Sequence, residues 1–188
     1  MDALLNVFTA FGLSTSAGLN AYLPLLVVAL LARFTDLITL RSPWDALESW
    51  WVIGLLSVLL LIEIFVDKVP AVDSVNDAIQ TFIRPVAGAV LFAASSGVIG
   101  EAHPVLALIC GLLVAGGVHA AKATARPIIT TTTAGTLNPV VSTAEDVLAL
   151  VVAVLAIVLP VLTLLFLLLV IIWFIRRRRR RQEMPSWW

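Results

Sequence analysis

Residues 147–175 read VLALVVAVLAIVLPVLTLLFLLLVIIWFI, an apolar run without a single ionisable side chain. A helix needs about 20 such residues to cross a hydrocarbon core about 30 Å thick. The run lacks the period-two alternation of an outer-membrane β-barrel, so it predicts membrane-spanning helix. Its length exceeds one perpendicular span, which predicts over 144–175 either one long helix bent at Pro160 or two shorter pieces meeting there, with one bent or tilted helix preferred.

Working outward, VIGLLSVLLLIEIF at 52–65 repeats the pattern. Over all 188 residues, 61% are hydrophobic and 13% charged, with a mean hydropathy of +1.06. Soluble domains are about half apolar and about a quarter charged, so lipid is the expected solvent. The opening MDALLNVFTAFGLSTSAGLN has no Lys or Arg before Arg33. Without the basic region of a cleavable signal peptide, it reads as a retained first helix. The expected fold is all-α, a polytopic helical membrane protein with about five or six apolar segments. Residues 1–175 form one membrane domain and 176–188 a polybasic tail.

The first helix is expected over 3–33, interrupted at STSAGLN (14–20). A polar connection with Pro43 spans 34–48, and a second helix runs from Glu48 to Asp67. In residues 71–84, Val72, Val75, Ile79, Phe82 and Ile83 share one helical face, and Asp73, Asp77, Gln80 and Arg84 the other. That spacing predicts an amphipathic helix at an interface or lining a polar cavity. A third helix follows from Pro85 to Ile99, GEAHP turns the chain, and a fourth occupies 104–122. There Gly111/Ala115, Gly116/Ala120 and Gly117/Ala121 are small-xxx-small pairs that predict close helix packing. Residues 123–143, with Pro127, Gly135 and Pro139, read as too polar and interrupted for a lipid-facing helix.

Formal charge sums to zero but is unevenly placed. Residues 1–175 hold six Lys plus Arg against eleven Asp plus Glu, whereas Arg176, Arg177, Arg178, Arg179, Arg180 and Arg181 form one block. Beside a membrane helix this block predicts a cytoplasmic anchor, with anionic lipid as its sharper partner. Nucleic acid is not an expected partner. The six Trp residues fall at proposed helix ends or in the tail, as an aromatic belt requires. The single Cys110 excludes an intramolecular disulfide and a cysteine metal cluster.

Ionisable groups inside apolar segments are costly and point to function. Glu63 and Asp67 stand one turn apart, Asp73 and Asp77 repeat the spacing, and His119, Lys122 and Arg126 follow i, i+3, i+7. An acidic stripe is therefore expected to face a basic one, although ion pairs that only fix helix register would produce the same pattern. STSAGLN and TTTTAGTLN (130–138) share hydroxyls, Ala-Gly and Leu-Asn, an echo expected of a broken-helix inverted repeat around a midplane site. Their candidate ligands are Ser14, Ser16, Asn20, Thr132, Thr133 and Asn138, with Arg84, Glu145 and Asp146 nearby in the pattern. Phosphate-loop, HExxH and GxSxG signatures are absent from the sequence, and neither cofactor nor metal is expected.

The strings GLSTSAGLNAYLPLL, DKVPAVDSVNDAIQTFIRP, HAAKATARP, TTTAGTLNP and STAED resemble a bacterial family of small multi-pass membrane proteins, domain of unknown function 4126. The resemblance covers most of residues 11–147 and implies a polytopic membrane fold, with no substrate, cofactor or catalytic residue to carry over. The resemblance does not extend to the polybasic tail with its terminal Trp pair, which is not among the strings that carry it.

Three functions remain open on the residues alone. A transporter or channel for a small polar solute or ion comes first. A membrane enzyme acting on a phosphorylated lipid at Asp73/Asp77 follows, because DSVND with Arg84-Pro85 seven residues later resembles diphosphate-binding prenyl transferases. A non-catalytic assembly or lipid-organising subunit, including a homo-oligomer, is third. The location expected is the bacterial inner membrane. A topology reporter fused after Trp188 is expected to behave as cytoplasmic; activity of a periplasmic reporter there would reverse the orientation.

Overall fold

A computed structural model describes residues 2–66 and 70–182. The described residues are mostly helical and contain no strand. In chain order they are α1 (Asp2–Leu19), α2 (Tyr22–Phe34), a 3-10 turn (Trp44–Glu48), α3 (Trp50–Val66), α4 (Pro70–Ser95), α5 (Val98–Ala102), α6 (Pro104–Thr133), α7 (Asn138–Val158) and α8 (Pro160–Gln182). By length and composition, α4 (from Ala78), α6 and α7 suffice to cross a membrane, and Ala3–Leu19, Tyr22–Phe34 and Trp50–Val66 are shorter apolar helices. At 30 residues, α6 is about 45 Å long and must tilt in, or project beyond, a core of about 30 Å.

The central element is α1, with α4, α6 and α7 packed around it. Its hydroxyls and amide run antiparallel along α7: Thr9 donates to Ala156 O at 2.9 Å, Ser16 to Ala149 O at 2.7 Å, and Asn20 Nδ2 to Asp146 Oδ1 at 3.0 Å. Against α4, Ser14 donates to Gly88 O at 2.9 Å, and Phe11 meets Phe92 edge-on at 5.0 Å. Interhelical bonds of this kind and small-residue contacts hold helices together in lipid, where apolar burial between them gains little. A Cβ at Gly18 would stand 2.7 Å from Ala115 O, one at Gly88 2.3 Å from Ala115 Cβ, and one at Gly111 2.3 Å from Gly88 O. Helices α1, α4 and α6 therefore approach backbone to backbone.

Of the three small-residue pairs, only Gly111/Ala115 lies fully in this contact. Gly117, Ala120 and Ala121 are exposed, and Gly116 is half-buried beside Pro85.

Two proline readings need correction. Residues 70–95 form one helix through Pro85, and 104–133 one helix through Pro127. Membrane helices absorb such prolines where neighbours compensate the lost N–H. Thr131, Thr132 and Thr133 also turn their hydroxyls back onto Pro127 O, Ile128 O and Ile129 O, so the polar run is satisfied within its own helix. The helix stops where Ala134 and Gly135 take positive φ (49° and 77°), with Gly135 N bonding Thr130 O. The long C-terminal segment is two helices meeting at Leu159, whose backbone leaves helical space, and α8 continues through the arginine block to Gln182.

The amphipathicity is inside out. On α4, Ile79 and Phe82 are 53% and 76% exposed while Gln80 and Arg84 are buried; on α6, Leu112, Leu113 and Ile128 face outward while His119, Lys122 and Arg126 are buried. Water would reverse that arrangement, and lipid explains it.

Gly88→Leu and Gly111→Leu are expected to lose about 1–3 kcal/mol each through overpacking. Gly117→Leu, whose Cβ meets open space, is the neutral control. Thermal denaturation in detergent, read by size-exclusion chromatography, checks the difference.

Candidate functional site

The site begins where α1 ends. The chain leaves helical form at Asn20 and Ala21, between two apolar helices. Asn20 Oδ1 accepts from the backbone N–H groups of Tyr22 and Leu23 at 3.1 and 2.9 Å, so it caps α2, whose first turn also holds Pro24. At the other side of the break, Lys122 Nζ donates to Leu19 O at 3.1 Å. The same Nζ lies 2.8 Å from Glu145 Oε2, and Arg126 Nη2 stands 3.5 Å from that oxygen. Asp146, beside Glu145 on α7, accepts from Asn20. A broken helix is thus sealed by charged side chains from α6 and α7.

One turn along α6 from Lys122, His119 belongs to a second cluster. Arg84 Nη2 pairs with Glu63 Oε1 at 3.0 Å, and both side chains are essentially inaccessible. Arg84 Nη1 lies 3.2 Å from His119 Nδ1, and Thr81 Oγ1 lies 3.0 Å from His119 Nε2. A guanidinium has only donors, so Nδ1 must accept; His119 is then neutral, and its Nε2–H donates to Thr81. Tyr22, the first residue of α2, brings its phenol beside Gln80, Glu63 and Arg84. The two clusters therefore form one seam: Tyr22 donates its backbone N–H to the Asn20 cap and hydrogen-bonds Gln80, one turn before Arg84, with its phenol.

The expected cations His119, Lys122 and Arg126 do face inward, and Glu145 on α7 is one carboxylate that meets two of them. Among the described residues Lys122 and Arg126 pair with Glu145, and Glu63 pairs with Arg84. Asp67 lies outside the described residues, as do the side chains of Asp73 and Asp77 and those of Arg177–Arg181. Arg176 is exposed on α8.

Ser14 and Ser16 are buried but donate to helix carbonyls, which makes them packing groups. Thr132 and Thr133 bond within α6 and do not join the seam. Asn138 closes on Thr130 through both ends of its amide, at 3.1 and 3.2 Å. It stands eight residues, about 12 Å, along α7 from Asp146. Asn20 and Asn138 thus do different jobs in different places. A shallow surface depression of about 750 Å³ lies on the outward face of α7 at Val140, Val147 and Val151, away from the seam.

Tyr22, Gln80, Thr81 and the Leu19 carbonyl join the seam without having been singled out as site groups from the sequence. Gln80 and Thr81 were within reach, because they precede Arg84 by four and three residues.

The family model described as Domain of unknown function (DUF4126) matches residues 7–180. The chain belongs to this family. No curated protein and no solved structure matches it. The match spans α1 to α8, so the whole seam is built from the family's segment.

Arg84→Met is expected to cost about 3–5 kcal/mol, the usual price of breaking a buried pair. Adding Glu63→Gln to that variant should recover part of the loss. A double-mutant cycle by denaturant titration in mixed micelles checks this, with a coupling above about 1 kcal/mol expected.

Proposed function

We propose that this protein is a small transporter or channel that carries a small polar solute or ion through the seam at the α1–α2 break. The carrying observation is the break itself, where the helix stops at Asn20–Ala21 between apolar segments, closed by buried Lys122 and half-buried Asp146 from two other helices. Irregular backbone at membrane depth persists only where protein or water satisfies it, and broken helices with helix starts pointing inward are a recurrent way to hold a solute. Here both halves of the break are held by side chains on α6 and α7. A relative shift of those helices would exchange the internal bonds for bonds to a solute, which supports gating.

The proposed setting is the bacterial inner membrane, with the C-terminal arginines cytoplasmic and near anionic lipid. The shared Ala-Gly and Leu-Asn strings support an inverted repeat in origin, but transport does not depend on one.

The test is flux in proteoliposomes against a panel of alkali halides and small neutral solutes. Asn20→Leu and Asp146→Asn are expected to lower the transported species' rate about tenfold, the scale of one lost polar contact, with insertion and monodispersity intact. Thr132→Ala should leave it unchanged. Absence of protein-dependent flux for every species would reject the reading.

A further inference from the structure

Gln80 and Arg84 lie one turn apart on the inward face of α4 and are 1% and 0% exposed. The outer nitrogens of Arg84 engage Glu63 and His119, but its Nε–H has no hydrogen-bond partner among the described residues. Gln80 Oε1 likewise has none there. Buried polar groups are nearly always paired, so an acceptor and a donor left over side by side mark a place for a third party. We propose that Gln80 and Arg84 bind an uncharged solute carrying both a donor and an acceptor, of the chemical kind of urea or a small polyol. This rests on the transport reading and names its solute class.

The charges around the pair decide for neutrality. Arg84 is already met by Glu63 at 3.0 Å and donates to a neutral His119, and Lys122 and Arg126 are met by Glu145. An anion entering beside Arg84 would lose its hydration against a guanidinium already compensated by Glu63. A neutral solute needs only what remains: its N–H or O–H donates to Gln80 Oε1, and its oxygen accepts from Arg84 Nε–H. Tyr22, beside Gln80, connects this position to the Asn20 break.

Stopped-flow light scattering of proteoliposomes in hyperosmotic urea or glycerol tests the proposal. The wild-type protein is expected to speed reswelling over protein-free vesicles, at a rate unchanged when the membrane potential is clamped with potassium and valinomycin. That comparison needs no variant. Gln80→Met is expected to slow solute entry about tenfold, while Thr132→Ala is not. Sodium or chloride flux that depends on Asn20, without urea or glycerol entry, overturns the neutral-solute proposal and leaves transport standing. Water permeation alone, or unchanged solute entry in a monodisperse Gln80→Met protein, also overturns it. No flux of any species removes both.

Discussion

A guanidinium withdrawn completely from solvent inside an apolar helix bundle must be met by an opposite charge, and Arg84 is met by Glu63. On insertion scales an ionised side chain at the centre of a membrane helix costs about 2.5–3.5 kcal/mol, so the partners of Arg84 dictate where its neighbours sit. Helix α3 illustrates this. Many of its large side chains are exposed, including Leu55, Val58, Leu61, Ile62 and Phe65, yet Glu63 is 2% exposed. A one-residue rotation of α3 would put that carboxylate into lipid. The same guanidinium fixes α6 through His119, and Tyr22 draws in α2.

The close approach of α1, α4 and α6 makes such short polar contacts attainable. Gly18, Gly88 and Gly111 admit facing backbones, and the charged residues of α6 begin one turn beyond Ala115. Packing and electrostatics are thus successive parts of one interface: small residues where α6 meets α1 and α4, then His119, Lys122 and Arg126 where α1 gives way to its break. The break is stabilised by side chains that meet its free backbone groups, Asn20 for the N–H groups of Tyr22 and Leu23 and Lys122 for the Leu19 carbonyl.

Much of this was legible in the sequence. Continuous apolar runs determine the all-helical membrane class, and the i, i+3, i+7 spacing of His119, Lys122 and Arg126 puts them on one face. The Ser14–Asn20 interruption is also visible, though the helix persists to Leu19 because Ser14 and Ser16 satisfy themselves on neighbouring carbonyls. Pro85 and Pro127 misled for a physical reason: they end helices readily in water, but lipid penalises the unpaired backbone that a true end would expose. Gln80 and Thr81 carry no charge, so the sequence does not mark them as groups that lipid would force inward. The role of the Leu19 carbonyl has no side-chain signature at all. Glu145 stands at the start of the helix expected over 144–175, where an acidic residue needs no special explanation, and only the packed helices show that it receives Lys122 and Arg126.

The inward turn of the polar faces underlies both the fold and the proposed path, and site-directed spin labelling tests it most directly. With Cys110 replaced by Ala, nitroxides are placed at Val86 on α4 and Leu113 on α6, which are 58% and 66% exposed. In liposomes, an inward polar seam requires both labels to collide freely with oxygen and poorly with a water-soluble nickel chelate, as groups in hydrocarbon do. Strong collision of either label with the nickel chelate would place that face in water and contradict the inside-out arrangement.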